Sequence, residues 1–371
     1  MLIPVALTLL ALTGGAILAL LGAGSPAAVA HLAFAVGIVP LIFAAMTHFV
    51  PVLTRTGDPS RSIRRLPVFA QFAGLTAVFG MQGWLPYAAI YLAAAVDLVL
   101  ALILLRWIFA RARATLGSPH PGWRWYAGAL VFLILALLAV LSTLVWPEQW
   151  AHWRLLHLHL NVFGLIGLAA FGTLPVLLPT VLGKPDPEAA GWLRRRFWLI
   201  CIFVVLLALG AATFWPLSVM GGALFLVLVL GLIVRWIRRF GLRTLLADGA
   251  SCALLAAACG WQLCLLAGAL HAFGWLPARP TLWAWAAAFL LPLVTGALSQ
   301  LLPVWVWPGP ISSERQRLRA LLVVGGQGRS VVFMTAGVLF LGGLPELATI
   351  LSVSGLLWFV AGLVRYRQFR P

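Results

Sequence analysis

Long, uninterrupted apolar segments are the feature that most restricts how this chain can fold. Hydrophobic residues make up 63% of the 371 residues and charged residues only 9%, whereas soluble domains usually carry about 25% charged residues. This composition excludes a soluble enzyme and a disordered chain, and the four cysteines lie within apolar runs rather than in a disulfide framework. A helix needs about 20 apolar residues to cross a bilayer. The sequence therefore predicts an all-α integral membrane protein with twelve transmembrane helices, at about 3–23, 28–53, 66–83, 86–108, 125–146, 155–181, 196–214, 216–237, 248–273, 281–305, 325–343 and 345–364.

Basic residues are concentrated in every second connector between these helices. Of the 25 lysines and arginines, 23 lie in every second connector or at the C-terminus, and only Arg154 and Arg279 lie in the other set. The positive-inside rule then predicts a multi-pass protein of the inner (cytoplasmic) membrane with both termini in the cytoplasm. The same bias accounts for the net charge of +17, so we expect no nucleic-acid partner. The N-terminus lacks the basic region of a cleaved signal peptide, so we expect the first helix to be retained.

Two patterns recur at a spacing of about 130 residues. Helices 2 and 6 each run 20 residues from a histidine to a proline, His31 to Pro51 and His159 to Pro179, with an offset of 128. In helix 10 the equivalent position is Trp283. Three other helices begin at a proline and end at an arginine followed by an aromatic residue: Pro86 to Arg106, Pro216 to Arg235, and Pro345 to Arg365. One transmembrane domain, 1–371, is thus predicted to contain three four-helix repeats, at about 1–115, 116–244 and 245–371.

Histidines in the predicted spans are the first candidates for a functional site. An ionisable residue inside a span is costly and is a functional candidate by default, and neutral imidazole readily binds haem iron and copper. His31 and His159 lie at matching depth near the predicted periplasmic side, so they are the preferred metal or haem ligands. Further candidates are His157, about 200° around the helix from His159, and His48 and His271. Hydrogen bonding between helices is the alternative for each of them.

Asp97 and Asn161 are two further candidates within the predicted spans. Asp97, in the middle of helix 4, is either a protonation site, a partner for a buried cation, or a protonated acid bonded to a neighbouring helix. Asn161, two residues after His159, either forms a hydrogen bond that orients a metal-binding histidine or bonds to another helix.

Two segments carry a resemblance to known families. LLHLHLNVFGLIGLAAFGTLPVLLP resembles helix 6 of subunit I of the haem–copper oxidases, especially the C-type branch. HLAFAVGIVPLIFAAMTHFVPVLTRTG is similar to the second-helix region of NnrS-type proteins, a family linked to haem, copper and nitric-oxide stress. The resemblance implies twelve helices in three arcs around a pseudo-threefold axis. It also implies a low-spin haem ligand at His31 and a copper-ligand position at His157 and His159.

The departures from the oxidase pattern are large. Helix 7 has no histidine pair, helix 10 offers only Gln300 and Trp283, and helix 6 has no tyrosine next to a histidine. The aromatic Arg-Pro signature of NnrS is also absent. We therefore expect a protein that binds haem b and/or copper in respiratory or nitrogen-oxide metabolism without reducing oxygen itself. Two alternatives stay open: a cofactor-free accessory subunit with a cytochrome or respiratory-complex partner, and a small-solute or proton-coupled transporter.

Overall fold

Helices make up almost the whole of this protein. The computed structural model describes residues 2–368, which are 85% helical and contain no strand. The helices are α1 (Leu2–Leu20), α2 (Pro26–Thr54), α3 (Arg61–Gln82), α4 (Ala89–Arg113), α5 (Gly122–Ser142), α6 (Pro147–Val181), α7 (Ala189–Ala212), α8 (Trp215–Phe240), α9 (Leu242–Ala247), α10 (Gly249–Ala272), α11 (Ala278–Val306), α12 (Ser313–Val323), α13 (Gly326–Leu341) and α14 (Pro345–Gln368).

Eleven helical segments in the described residues are long and apolar enough to cross a membrane. This confirms the predicted all-α membrane fold, because a bilayer leaves helices and closed barrels as the only spanning structures. The predicted span 66–83 is also helical, as α3, but it is not among the eleven. Arg61, Arg64, Arg65, Gln71 and Gln82 make it less apolar than the others. The count of twelve spans and the cytoplasmic position of both termini stay predictions.

Short polar side chains begin several helices. The Ser25, Ser60 and Ser312 hydroxyls accept the first free backbone N–H groups of α2, α3 and α12, and the Asp248 carboxylate does the same for α10. These side chains satisfy donors that have no partner within the helix. Gly83 ends α3 in the left-handed conformation, with φ of 80°.

Three helices change from α to π geometry at corresponding places. The π-helical segments are Leu32–Ile38 in α2, Leu160–Ile166 in α6 and Ala286–Leu290 in α11. They begin 128 and 126 residues apart, a spacing close to that of the predicted repeats. A π-helical turn contains an extra residue, and such turns are frequent at functional sites.

The chain divides into two compact units. Among the described residues, the first unit comprises Ile3–Thr173 and Pro187–Gly221, and the second comprises Leu174–Asp186 and 222–368. Phe43, Met46 and Trp125 are among the fully buried side chains of the first unit. The core of the second unit contains a chain of aromatic contacts, in which the ring of Trp261 lies 5.1 Å from Phe225 and 4.8 Å from Phe289.

Candidate functional site

The start of α2 is held in place by the end of α3. The Ser25 backbone N–H donates to Gln82 Oε1 at 3.0 Å, and the Ser25 hydroxyl donates to the Met81 carbonyl at 3.0 Å. Ser25 also caps α2. His31 follows six residues later and is the last residue before the π-helical segment of α2. Its position is therefore set by a capped helix end that is bonded to a neighbouring helix.

Helix α6 presents two histidines in different directions. His157 and His159 are two residues apart, which is about 200° of rotation in an α-helix. His159 immediately precedes the π-helical segment of α6, as His31 does in α2. The Asn161 amide donates to the backbone carbonyl of His157 at 2.8 Å.

The structure brings together the rings of His31 and His157. Their centroids are 6.2 Å apart and their planes are nearly parallel, with an interplanar angle of 6°. Both side chains are partly buried in the first unit. Two imidazoles from separate helices thus lie side by side at a partly buried position of this unit.

Hydrogen bonds determine which ring nitrogen of each histidine is available. His31 Nδ1 lies 2.8 Å from the Ala27 carbonyl oxygen, and His157 Nδ1 lies 3.0 Å from the Ala136 carbonyl oxygen. A carbonyl oxygen only accepts, so these two contacts place the proton on each Nδ1. The Asn161 amide nitrogen lies 3.4 Å from His157 Nδ1 but makes its shorter bond, 2.8 Å, to the His157 carbonyl. In the neutral ring the Nε2 atom then has a free lone pair, which is the form that binds a metal ion.

The distance between the two ring centres agrees with both rings binding one metal ion. Two imidazoles that bind one ion from opposite sides through nitrogens at about 2.0 Å have ring centres about 6 Å apart. The observed separation is 6.2 Å. Metal-binding histidines commonly donate their second N–H to a backbone carbonyl, which fixes the ring orientation and raises the basicity of the ligand. Both features are present in His31 and His157.

His159, the preferred partner of His31 in the sequence analysis, has two contacts within its own helix. Its Nδ1 bonds to the Leu155 carbonyl at 2.8 Å, and its ring stacks on Phe163 with centroids 5.9 Å apart. The preference rested on matching positions in the repeat. Matching positions in a predicted repeat do not require two side chains to face each other. The rotation of α6 instead turns His157 toward His31.

The remaining candidates do not join this pair. His48 lies 17 residues after His31 on α2 and contacts the ring of Phe49 at 5.2 Å. His271 lies at the end of α10 in the second unit, and its Nδ1 bonds to the Leu276 carbonyl at 2.7 Å. Gln300 accepts a hydrogen bond from Arg319 at 2.9 Å, so it has a structural partner within the second unit.

No group of three or more His, Cys, Asp or Glu side chains within residues 2–368 is arranged to hold a metal ion. The pair of His31 and His157 contains only two such side chains and is therefore not a group of this kind. Comparisons of the chain with protein-family models and with curated proteins find no match.

Proposed function

We propose that this chain is a membrane-bound cytochrome in which His31 and His157 hold one b-type haem. The observation that supports this proposal is the pair of nearly parallel imidazoles 6.2 Å apart, each with Nδ1 bonded to a backbone carbonyl. The fold agrees with it, because helix bundles commonly bind cofactors through side chains on facing helices.

The number of protein ligands favours haem over copper. A haem needs only one or two axial side chains from the protein, because the macrocycle supplies the other ligands. Protein copper sites usually need three or more side chains, such as two histidines and a cysteine. The described residues offer His31 and His157 but no larger group.

Ligation by two histidines favours electron transfer. A haem bound here would supply one-electron redox chemistry. With both His31 and His157 holding the haem, the site would favour electron transfer over the binding of oxygen or nitric oxide. We therefore propose an electron carrier, in respiratory or nitrogen-oxide metabolism, that does not reduce oxygen and that exchanges electrons with a cytochrome or respiratory-complex partner.

The neighbouring groups would tune the two ligands. Hydrogen bonds from the Nδ1 atoms to the Ala27 and Ala136 carbonyls increase the electron density on each ring. The Asn161 amide holds the backbone of His157. These contacts hold both rings at a fixed orientation, so little ordering of the protein is needed when the cofactor binds.

The absorption spectrum of the purified full-length protein tests this proposal. We expect a low-spin haem b spectrum in the wild type and its loss in His31→Ala and in His157→Ala, through loss of haem or of one axial ligand. His159→Ala is the matched control and should retain the wild-type spectrum.

A colourless preparation from haem-replete cells would contradict the proposal and favour the cofactor-free accessory subunit. Retention of the low-spin spectrum in His157→Ala, with its loss in His159→Ala, would show that His159 and not His157 is the second haem ligand.

A further inference from the structure

An apolar cavity of about 340 Å³ lies between α5, α6 and α7 of the first unit. This volume is within the range of sites that bind small molecules. Apolar side chains form almost the whole wall of the cavity, among them Leu135 and Leu138 of α5, Leu156 and Leu160 of α6, and Val205 and Leu209 of α7.

The rim of the cavity faces the outside of the helix bundle. Leu135, Leu138, Val205 and Leu209 are between 39% and 48% exposed. On helices that cross a membrane, exposed apolar side chains of this kind contact the hydrocarbon of the bilayer. An apolar cavity offers water no hydrogen-bond partners, so a hydrocarbon chain is the favoured occupant.

Two arginines lie at one level on the two helices that border the cavity. Short connectors make α6 antiparallel to both α5 and α7, so α5 and α7 run in the same direction. A Cβ atom at Gly128 of α5 would lie 3.0 Å from the ring of Phe197 of α7. Counting back from this contact, Arg124 of α5 and Arg194 of α7 differ in level by one residue, or about 1.5 Å.

Both arginines lie on the faces of their helices that line the cavity. In an α-helix, residues eleven positions apart are separated by about three turns and differ by only about 20° in direction. Arg124 is eleven residues before Leu135, and Arg194 is eleven residues before Val205. These faces of α5 and α7 form one groove, here called the α5–α7 groove, with the arginines at one end and the cavity about 16 Å along it.

The residues around the two arginines are typical of the headgroup level of a membrane. Arg124 and Arg194 are exposed and immediately precede the apolar parts of their helices. The Arg124 guanidinium lies 5.8 Å from the ring of Trp123, and Trp198, one turn after Arg194, is 69% exposed. Tryptophan and arginine at the ends of membrane helices commonly lie among the lipid headgroups.

No acidic side chain among the described residues pairs with either arginine. On α7 the nearest acid is Glu188, six residues or about 9 Å before Arg194. Asp97, a candidate of the sequence analysis, is 8% exposed near the middle of α4, about 24 Å along that helix from its connector to α5. Both positive charges at the end of the groove are therefore available to an anion.

We infer that the α5–α7 groove binds one anionic glycerophospholipid, whose phosphate pairs with Arg124 and Arg194 and whose acyl chain enters the cavity. Guanidinium groups bind phosphate oxygens by charge-assisted hydrogen bonds. One leaflet of a bilayer, with its headgroups, is about 20 Å thick. A lipid whose phosphate lies between the arginines thus reaches the level of Leu135 and Leu138, inside the cavity. This site does not depend on the proposed haem.

Native mass spectrometry of the full-length protein, titrated with lipid in neutral detergent, tests the headgroup site. We expect one molecule of anionic phosphatidylglycerol to bind more tightly than zwitterionic phosphatidylcholine. Arg124→Gln and Arg194→Gln should each weaken the binding of phosphatidylglycerol about fivefold. Arg196→Gln is the matched control: it removes the same charge from α7, about 200° around the helix from Arg194, and should leave the affinity unchanged.

Filling the cavity tests the position of the acyl chain. Val205→Trp should weaken the binding of phosphatidylglycerol, because the larger side chain occupies the space of the lipid chain. Ile202→Trp, at an exposed position of α7 outside the cavity, is the control and should bind as the wild type does. If Val205→Trp does not fold, Leu138→Trp, at a lining position on α5, should show the same loss.

Equal affinities for phosphatidylglycerol and phosphatidylcholine would overturn the phosphate site. An equal loss of affinity in Arg196→Gln and Arg194→Gln would show a general effect of charge and would also overturn it. Wild-type affinity in a folded Val205→Trp or Leu138→Trp variant would overturn the placement of the chain in the cavity.

Discussion

At the scale of single residues, backbone carbonyls control the chemistry of the histidine pair. The Ala27 carbonyl is four residues before His31 on the same helix, and the Ala136 carbonyl reaches His157 from α5. No substitution at Ala27 or Ala136 removes these carbonyls, since they belong to the main chain. The protein thus orients both rings through groups that every residue type possesses.

His120 gives a pH dependence outside the membrane-spanning helices. Its Nδ1 accepts a hydrogen bond from the Gly122 backbone N–H at 3.2 Å, at the start of α5. Burial, and then the positive charge of Arg194, lower the pKa of His120 from its ordinary value of 6.5. A protonated ring would also lose this bond and meet the positive end of the helix dipole.

Because the pKa of His120 is lower in the folded state, the unfolded state takes up the proton first as the pH falls. The contribution of His120 to stability is therefore complete above about pH 6.5 and decreases below it. We expect the melting temperature in detergent to fall between pH 7 and pH 5, and His120→Asn, which can still accept from Gly122, to show a weaker fall. Arg194→Met should also weaken the fall in melting temperature, but by less than His120→Asn, because Arg194 is only the second cause of the lowered pKa. If His120→Asn shows the same pH profile as the wild type, His120 is not the source of the pH dependence.

At the scale of helices, the π-helical segment of α2 depends on a close approach by α3. A Cβ atom at Gly74 would lie 2.6 Å from the Ala35 carbonyl oxygen and 2.9 Å from the Val36 nitrogen, both within that segment. Only glycine leaves room for this approach, which keeps α3 against the helix that carries His31.

We expect Gly74→Ala to destabilise the protein by about 1–3 kcal/mol, as other overpacked cores do. Because α2 must shift to relieve the clash, the proposed haem spectrum should also weaken. Thermal unfolding and the absorption spectrum measure the two effects. Gly14→Ala in α1, where an added Cβ meets nothing within 4 Å, is the control: it should not destabilise the protein, since alanine favours a helix, and should leave the spectrum unchanged. Equal stability of the Gly74→Ala variant and the wild type would contradict the close contact.

At the scale of the whole molecule, α3 decides whether the chain crosses the membrane eleven or twelve times. If α3 crosses the bilayer, the connector before it and the turn after it lie on opposite sides. The alternation of basic residues predicts Asp58 on the cytoplasmic side and Trp84 on the periplasmic side. Both positions are exposed.

Cysteine labelling measures this topology. In a variant without Cys201, Cys252, Cys259 and Cys264, we expect an impermeant reagent added outside the cell membrane to label Trp84→Cys but not Asp58→Cys. Disruption of the membrane should expose both. Labelling of both positions from the same side would show that α3 does not span the bilayer, and would place the two termini on opposite sides.

The amino-acid sequence by itself determined the class of the fold and the approximate course of its helices. Apolar length imposes helices in a bilayer whatever the packing, so predicted spans such as 86–108 and 125–146 correspond to α4 (Ala89–Arg113) and α5 (Gly122–Ser142). The sequence also selected a short set of histidines. Only the tertiary structure decided that the rings of His31 and His157 lie 6.2 Å apart, and that Gly74 of α3 packs against Ala35 of α2. These facts depend on the rotation and register of neighbouring helices, which side-chain packing and the π-helical turns set and which no local pattern encodes.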